Sequence, residues 1–265
     1  AGRKASSAAP WDGGQLLAPT QGGWATQAPS AVPHLPQEQA PHALDAKGMT
    51  DIQAAFVKAA ERADAIGIDA IELHAAHGYL MHQFLSPIAN HRTDNYGGNF
   101  DNRTRFPMEV FEAVRAVYKG SLGMRISASD WVESGWTPEE TADFSLRLKL
   151  AGADFVHISS GGVAAQQKIA LGPDYQVPFA KLVKQKTGMP TITVGLITEP
   201  QQAEDILARG DADLIALARA FLYKPRWVWE AAAALNGKVQ ASPQYWRCMP
   251  REAQGIFESV HMGQR

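Results

Sequence analysis

A short apolar run followed by a capped helix start recurs along this chain, and that alternation constrains the fold more than any other feature. Gly67-Ile-Asp-Ala-Ile-Glu-Leu-His74 reads as a strand, and so do Leu122–Ser129, Phe155–Ser160, Thr191–Gly195 and Leu214–Ala218. After the second comes Thr137-Pro138-Glu139-Glu140, with an N-cap threonine, a proline at the first helical position and a glutamate that closes a capping box. Thr198-Glu-Pro-Gln201 offers a second capped start after the fourth strand, and a Trp-rich helix is expected from about Pro225. Ahead of the first strand, Asp51–Ala65 carries Ile52, Ala55, Phe56, Ala59 and Ala60 at the spacing of one helix face.

Strands alternating with helices predict an α/β fold built of parallel βαβ units. Buried parallel strands are expected to be apolar on both faces. The polar candidates His74, Arg125, Ser159, Gly195 and Arg219 stand at or just past strand ends, which in a (β/α)₈ barrel is the face that carries the site. A barrel needs eight strands and five are recognisable. Either the sheet is open and doubly wound, or this is a TIM (β/α)₈ barrel of which the chain holds the last five strands. The first residue, Ala1 rather than Met, favours the second reading. The whole of 1–265 is then one barrel domain lacking its N-terminal part, with an irregular segment rich in Gly, Pro, Ala and Gln at 1–45 and a tail at 249–265. A long irregular segment is usually functional or disordered.

Composition removes several classes. At 45% hydrophobic and 20% charged residues the chain is of ordinary globular make-up. A net charge of −2 gives no bulk attraction to nucleic acid or to an anionic membrane. No apolar stretch approaches the roughly 20 residues of a membrane helix, and the start has no secretory h-region. The single cysteine, Cys248, excludes an internal disulfide and a multi-cysteine zinc site. It suits a cytoplasmic protein.

Two stretches carry a family likeness. His74-Ala-Ala-His77-Gly-Tyr79-Leu, then Asn90-His-Arg-Thr-Asp-Asn-Tyr-Gly-Gly98-Asn-Phe-Asp-Asn-Arg103-Thr-Arg105-Phe106, resembles the Old Yellow Enzyme family of flavin oxidoreductases, in the bacterial thermophilic-like branch that includes the xenobiotic reductases. Arg125-Ile-Ser-Ala-Ser-Asp130, Val194-Gly195-Leu-Ile-Thr198 and Leu217-Ala-Arg219 follow in the family's order and approximate spacing. Ala1-Gly-Arg-Lys4 resembles the family's segment just after its third strand. The family's first strand, with its redox-tuning cysteine, and its third-strand flavin glutamine have no counterpart here.

The resemblance implies FMN as cofactor and NADPH or NADH as hydride donor. It implies ping-pong reduction of the activated C=C bond of an α,β-unsaturated carbonyl or nitro compound, in a homo-oligomer (dimer or tetramer). It assigns His74 and His77 to the substrate's electron-withdrawing oxygen, where two imidazole N–H donors would stabilise developing charge. Tyr79 becomes the candidate proton donor. Arg125, a charge in an otherwise apolar or small strand, would face the flavin. Gly195, Ala218 and Arg219 would hold its phosphate, where the last two barrel loops usually place one. Alanine at 218 departs mildly from the family's more usual glycine. Arg247, in Tyr245-Trp-Arg247, resembles an arginine that reaches the neighbouring subunit's substrate site.

The residues alone leave alternatives. His74 and His77 would suit a metal, but a third ligand is needed and no H-E-x-x-H pattern exists. Arg125 could pair with Glu72, and Arg219 could form a surface ion pair. Asp130, Glu133, Glu139 and Glu140 suggest a glycosidase carboxylate pair, although Glu139 and Glu140 suit a helix first turn equally well. Ser159-Ser160-Gly-Gly162 reads as a turn beside the cofactor. Two other functions stay open: a catalytically inactive truncated fragment, and a metal-dependent barrel lyase.

Overall fold

In the computed structural model, which describes residues 1–259, five strands form the main sheet. They are β1 (Ala70–Ala75), β2 (Ser121–Ser127), β3 (Phe155–Ser159), β4 (Thr191–Val194) and β5 (Leu214–Ala216). Every neighbouring pair is parallel, and the order across the sheet is the order along the chain. A doubly wound sheet reverses its strand order at a switch point; a barrel wall does not. The sheet is therefore an arc of an incomplete α/β barrel, with unpaired edges at β1 and β5 among the described residues.

The helices are α1 (Ala46–Ala65), α2 (Leu80–Leu85), α3 (Phe100–Val117), α4 (Pro138–Leu150), α5 (Val177–Thr187), α6 (Pro200–Ala208), α7 (Arg219–Tyr223) and α8 (Trp227–Ala234). Residues from α1 to α5 join Leu73, Leu122, Met124, Ile126, Val156 and Ile158 of the strands in one buried cluster. A smaller cluster under α6 and α8 gathers Ile197, Ala203, Ile206 and Trp227. The opposite side of β1–β3 carries Glu72, His74, Arg125, Ser127, His157 and Ser159. β1–β3 are thus not apolar on both faces, whereas β5 is apolar throughout. Side chains alternate, apolar toward the helices and polar toward the barrel axis.

Local signals explain most boundaries. The Thr137 hydroxyl accepts from Glu140 N at 3.2 Å, and the Glu140 carboxylate accepts from Thr137 N at 3.2 Å, so α4 starts on the predicted capping box. Asp45 caps α1 by accepting from Gly48 N at 2.7 Å, which starts that helix earlier than its apolar face suggests. The cap of α6 is Glu199, not Thr198. Helix α3 has no counterpart in the pattern reading. Asn99 caps it, and Pro107, which has no N–H to give the ladder, sits buried within it. Acids placed just before β3 and β5 fasten the preceding strand: Asp154 accepts from Leu122 N at 2.8 Å and Asp213 from Thr191 N at 2.9 Å.

Residues 1–45 form short 3₁₀ turns and one two-residue parallel pairing, Gln27–Ala28 with His42–Ala43. They are tied to the ends of the barrel strands by Arg3, which donates to Val163 O at 2.6 Å and to Val32 O and Pro33 O at 3.2 Å. Near the other end, Val239–Gln240 pairs with Phe257–Glu258, burying Ile256 and Phe257. The last six residues of the 249–265 tail lie outside the described residues. No described helix is long and apolar enough to cross a membrane.

Phe111 of α3 is fully buried in the main cluster. Phe111→Ala is expected to cost about 3–5 kcal/mol through lost burial and the cavity left behind, read as a lower urea midpoint at unchanged slope.

Candidate functional site

The site is organised by the turn that leaves β1. His77 and Gly78 both adopt left-handed backbone, with φ of 56° and 72°, which costs a non-glycine residue on the order of 1–2 kcal/mol. Four side chains from three places hold that turn. Ser127 Oγ accepts from His77 N at 2.8 Å, and Lys4 Nζ donates to His77 O at 2.9 Å. His82 Nδ1 accepts from Gly78 N at 2.8 Å, and Gln83 Nε2 donates to Gly78 O at 2.6 Å. Position 78 must be glycine for a second reason. A Cβ there would lie 2.0 Å from Gly162 O, so the loops after β1 and β3 touch backbone to backbone. Lys4 bridges the same two loops, donating also to Gly162 O at 2.9 Å.

The turn brings three predicted residues together. The His74 and His77 rings lie 5.1 Å apart at 49°, and the His74 and Tyr79 rings 5.5 Å apart. His77 Nε2 is 2.7 Å from Ser159 Oγ, whose alternative acceptor, Gln176 Oε1, is 3.4 Å away. The contact with Ser159 fixes the orientation of the His77 ring through Nε2. Desolvation, with Arg125 and His74 nearby, depresses His77 from 6.5 to about 3. Burial and Arg125 also lower His74. Both rings are neutral at pH 7, and each can offer one N–H to an acceptor between them. Tyr79 is partly exposed, with Lys4 Nζ 5.1 Å from its ring centre. His74 and Tyr79 also line a cleft of about 670 Å³ together with Gly2, Trp24 and Phe56.

Below the turn, one rung of the sheet sets His74, Arg125 and His157 side by side. Arg125 does not pair with Glu72: that carboxylate takes His157 Nδ1 at 2.9 Å. Arg125 Nε and His157 Nε2 are buried without a hydrogen-bond partner among the described residues. A buried unmet donor costs about 1–3 kcal/mol, so this rung is arranged for an acceptor above it. Burial lowers Arg125 from its ordinary value while Glu72 opposes the shift, and a guanidinium stays charged throughout.

Gly195, Ala218 and Arg219 line a separate cavity of about 250 Å³ beyond β4 and β5. Gly195 has φ of 115°, and a Cβ on it would strike the Gln176 amide at 2.3 Å. Arg219 makes no ion pair among the described residues and lies close enough to lower the Tyr175 phenol, against the larger upward push of burial. Arg247 stands apart, exposed in the 3₁₀ turn Pro243–Cys248. Beside it Tyr245 packs on Trp229, and Arg226 lies over both rings at 4.3 and 4.0 Å.

The acids do not assemble a carboxylate pair. Asp130 is fully buried, accepting from Ser86 Oγ at 2.6 Å and Trp136 N at 2.8 Å, with His82 Nε2 at 2.8 Å. Burial alone would raise it, but those hydrogen bonds hold it below the usual carboxylate range. Glu140 pairs with Arg103, and Glu133 and Glu139 are exposed. Among the described residues no third His, Cys, Asp or Glu joins His74 and His77 to hold a metal. Lys4, His82, Gln83 and the role of Ser159 have no local sequence signal. Only the Gly78–Gly162 contact hints at them, and it joins loops far apart in sequence.

A family profile, described as the NADH:flavin oxidoreductase / NADH oxidase family, matches residues 11–238. The chain belongs to this family. An NADPH dehydrogenase of Geobacillus thermodenitrificans is 44% identical over 220 residues, which are 83% of this chain and 64% of that protein. One of Bacillus subtilis is 41% identical over the same length. The chain thus spans under two thirds of the relatives it matches. Among solved structures, morphinone reductase aligns with a TM-score of 0.62 at 27% identity, over 75% of this chain and 57% of that one. Histamine dehydrogenase from Rhizobium sp. 4-9 aligns with 0.67 at 27% identity, over 78% and 32%. The family expected from the motifs is borne out.

The depressed value of His77 gives a signed pH dependence. Between about 3 and 6.5 the unfolded chain binds a proton on this residue that the folded chain does not. Stability is therefore expected to fall as pH drops from 6.5 toward about 3. Urea midpoints across that range should decline less steeply for His77→Asn than for the parent.

Proposed function

We propose that the chain is the site-bearing part of an FMN-dependent NAD(P)H oxidoreductase that reduces the activated C=C bond of α,β-unsaturated carbonyl or nitro compounds. The observation that carries this reading is the pair of neutral rings, His74 and His77, standing beside a rung whose Arg125 Nε is buried and unmet. The residues fit FMN. Arg125 offers a fixed positive charge and a free N–H to a carbonyl-bearing ring, and the cavity lined by Gly195, Ala218 and Arg219 offers a guanidinium and an unobstructed backbone to a phosphate. FMN, when bound, would supply the hydride chemistry between NAD(P)H and substrate.

The chain's own residues would do the rest. His74 and His77 would donate to the substrate's carbonyl or nitro oxygen, polarising the double bond and stabilising the charge that develops there. Their neutrality matters because a neutral imidazole donates without drawing in a counterion. Tyr79, at the mouth of the cleft, would hand a proton to the α-carbon. Lys4 Nζ lies 5.1 Å from the centre of that ring and would help to hold it in place. Arg247, exposed and outside this cluster, would contribute across a subunit contact in a dimer or tetramer. The names of the relatives, NADPH dehydrogenase and morphinone reductase, the latter in one case in complex with tetrahydroNAD, support nicotinamide as donor.

The purified chain should carry or take up a yellow chromophore that NADPH bleaches and 2-cyclohexenone restores. A colourless chain that binds no added FMN sinks the reading in favour of an inactive fragment. In an active chain, His74→Ala and His77→Ala are each expected to slow reoxidation by the enone about 100-fold with flavin content unchanged. Arg125→Met is expected to reduce flavin content itself.

A further inference from the structure

We propose that His82, held in one tautomer by Asp130, is the positioning residue that fixes the His77–Gly78 turn and with it the places of the His77 ring and the Tyr79 hydroxyl. The inference rests on the function proposed above for those two groups. Its physical basis is independent of that function.

Gly78 N is a donor and nothing else, so the His82 Nδ1 it reaches at 2.8 Å must be a bare acceptor. The His82 proton is then on Nε2, 2.8 Å from Asp130 Oδ1, and the carboxylate accepts it. Asp130 cannot rotate away, because its other oxygen is taken by Ser86 Oγ and Trp136 N. Both His82 and Asp130 are fully buried, so water does not substitute for either bond. A chain of fixed hydrogen bonds therefore runs from the peptide between His77 and Gly78, through one imidazole, to the Asp130 carboxylate in the loop after β2. That peptide sits between two left-handed residues, a conformation that relaxes unless it is held. Gln83 holds the next carbonyl from the same helix, so α2 clasps Gly78 on both sides. Catalytic groups misplaced by about 1 Å can lose on the order of 100-fold in rate. The turn carries two of the three side chains on which the proposed chemistry depends.

Two substitutions separate this role from a merely structural one. His82→Asn keeps an amide oxygen near the Nδ1 position, where it can still accept from Gly78 N, but gives up Asp130. His82→Gln keeps an amide N–H near the Nε2 position for Asp130 but gives up Gly78. If His82 serves only to satisfy the buried acid, His82→Gln is the milder change; if it positions the turn, His82→Asn is. In the FMN-loaded full chain, reoxidation by 2-cyclohexenone is expected to fall by about 30-fold or more in His82→Gln and by about 3-fold in His82→Asn. Reoxidation by dioxygen, which needs neither His77 nor Tyr79, should change in neither. Amide hydrogen exchange at Gly78 should be protected in the parent and His82→Asn and fast in His82→Gln. The reverse order in rates and exchange overturns the proposal.

Should either variant fail to fold, the parent and Asp130→Asn carry the test. Long-range ¹H–¹⁵N spectra of the parent at pH 7 should show His82 protonated on Nε2 alone. Asn at position 130 cannot accept from both Trp136 N and His82, so Asp130→Asn should lose that tautomer and Gly78 protection together. A parent His82 protonated on Nδ1, or doubly protonated, overturns the proposal. These spectra need no flavin. A chain that binds no FMN would remove the functional reading while leaving the positioning claim to be decided by exchange and tautomer.

Discussion

Everything in the site hangs on one peptide unit, the link between His77 and Gly78. Its two residues occupy backbone space that a chain enters only under constraint. The constraint comes from Lys4, Ser127, His82 and Gln83, in the N-terminal segment, in β2 and in α2. The His77 ring stands 5.1 Å from that of His74 although the strand has ended at Ala75, and left-handed backbone at two successive residues turns the chain on from there toward Tyr79.

The second constraint is register. Parallel strands in sequential order put His74, Arg125 and His157 on one rung. The row exists because every strand of β1–β3 alternates apolar and polar residues in phase. Glu72 is taken by His157 within it, which leaves Arg125 without a carboxylate partner among the described residues. The irregular N-terminal segment then closes over the strand ends, with Arg3 and Lys4 donating to carbonyls of the loop after β3. An arc of five strands is enough to assemble all of this, because the contributing residues come from consecutive strands.

Much of this was legible in the sequence, and the limits have physical causes. The βα alternation and the Thr137 cap could be read because both are local. His74, His77 and Tyr79 could be read because they fall within six residues, and Arg125 because a charge inside a strand demands a reason. Helix α3 could not, since Pro107 in its interior looks like a break and only burial shows that the helix tolerates it. β1–β3, taken as uniformly apolar, proved two-faced, because Glu72, His74, Ser127 and His157 are exceptions only until the register lines them up. Lys4 and His82 were beyond reach, and so was the contact of Ser159 with the His77 ring. Each acts through a hydrogen bond to a turn whose shape is set elsewhere, and no spacing encodes that.

The alternation along β1–β3 has a wider consequence. Even-numbered positions of β1 and odd-numbered positions of β2 and β3 face the interior, while their neighbours face the helices. Chemistry and cohesion are therefore assigned to interleaved letters of the same few words. Substitutions in one set can remodel what the barrel binds while the other set keeps the wall standing, so the two properties can drift apart over time on a shared backbone.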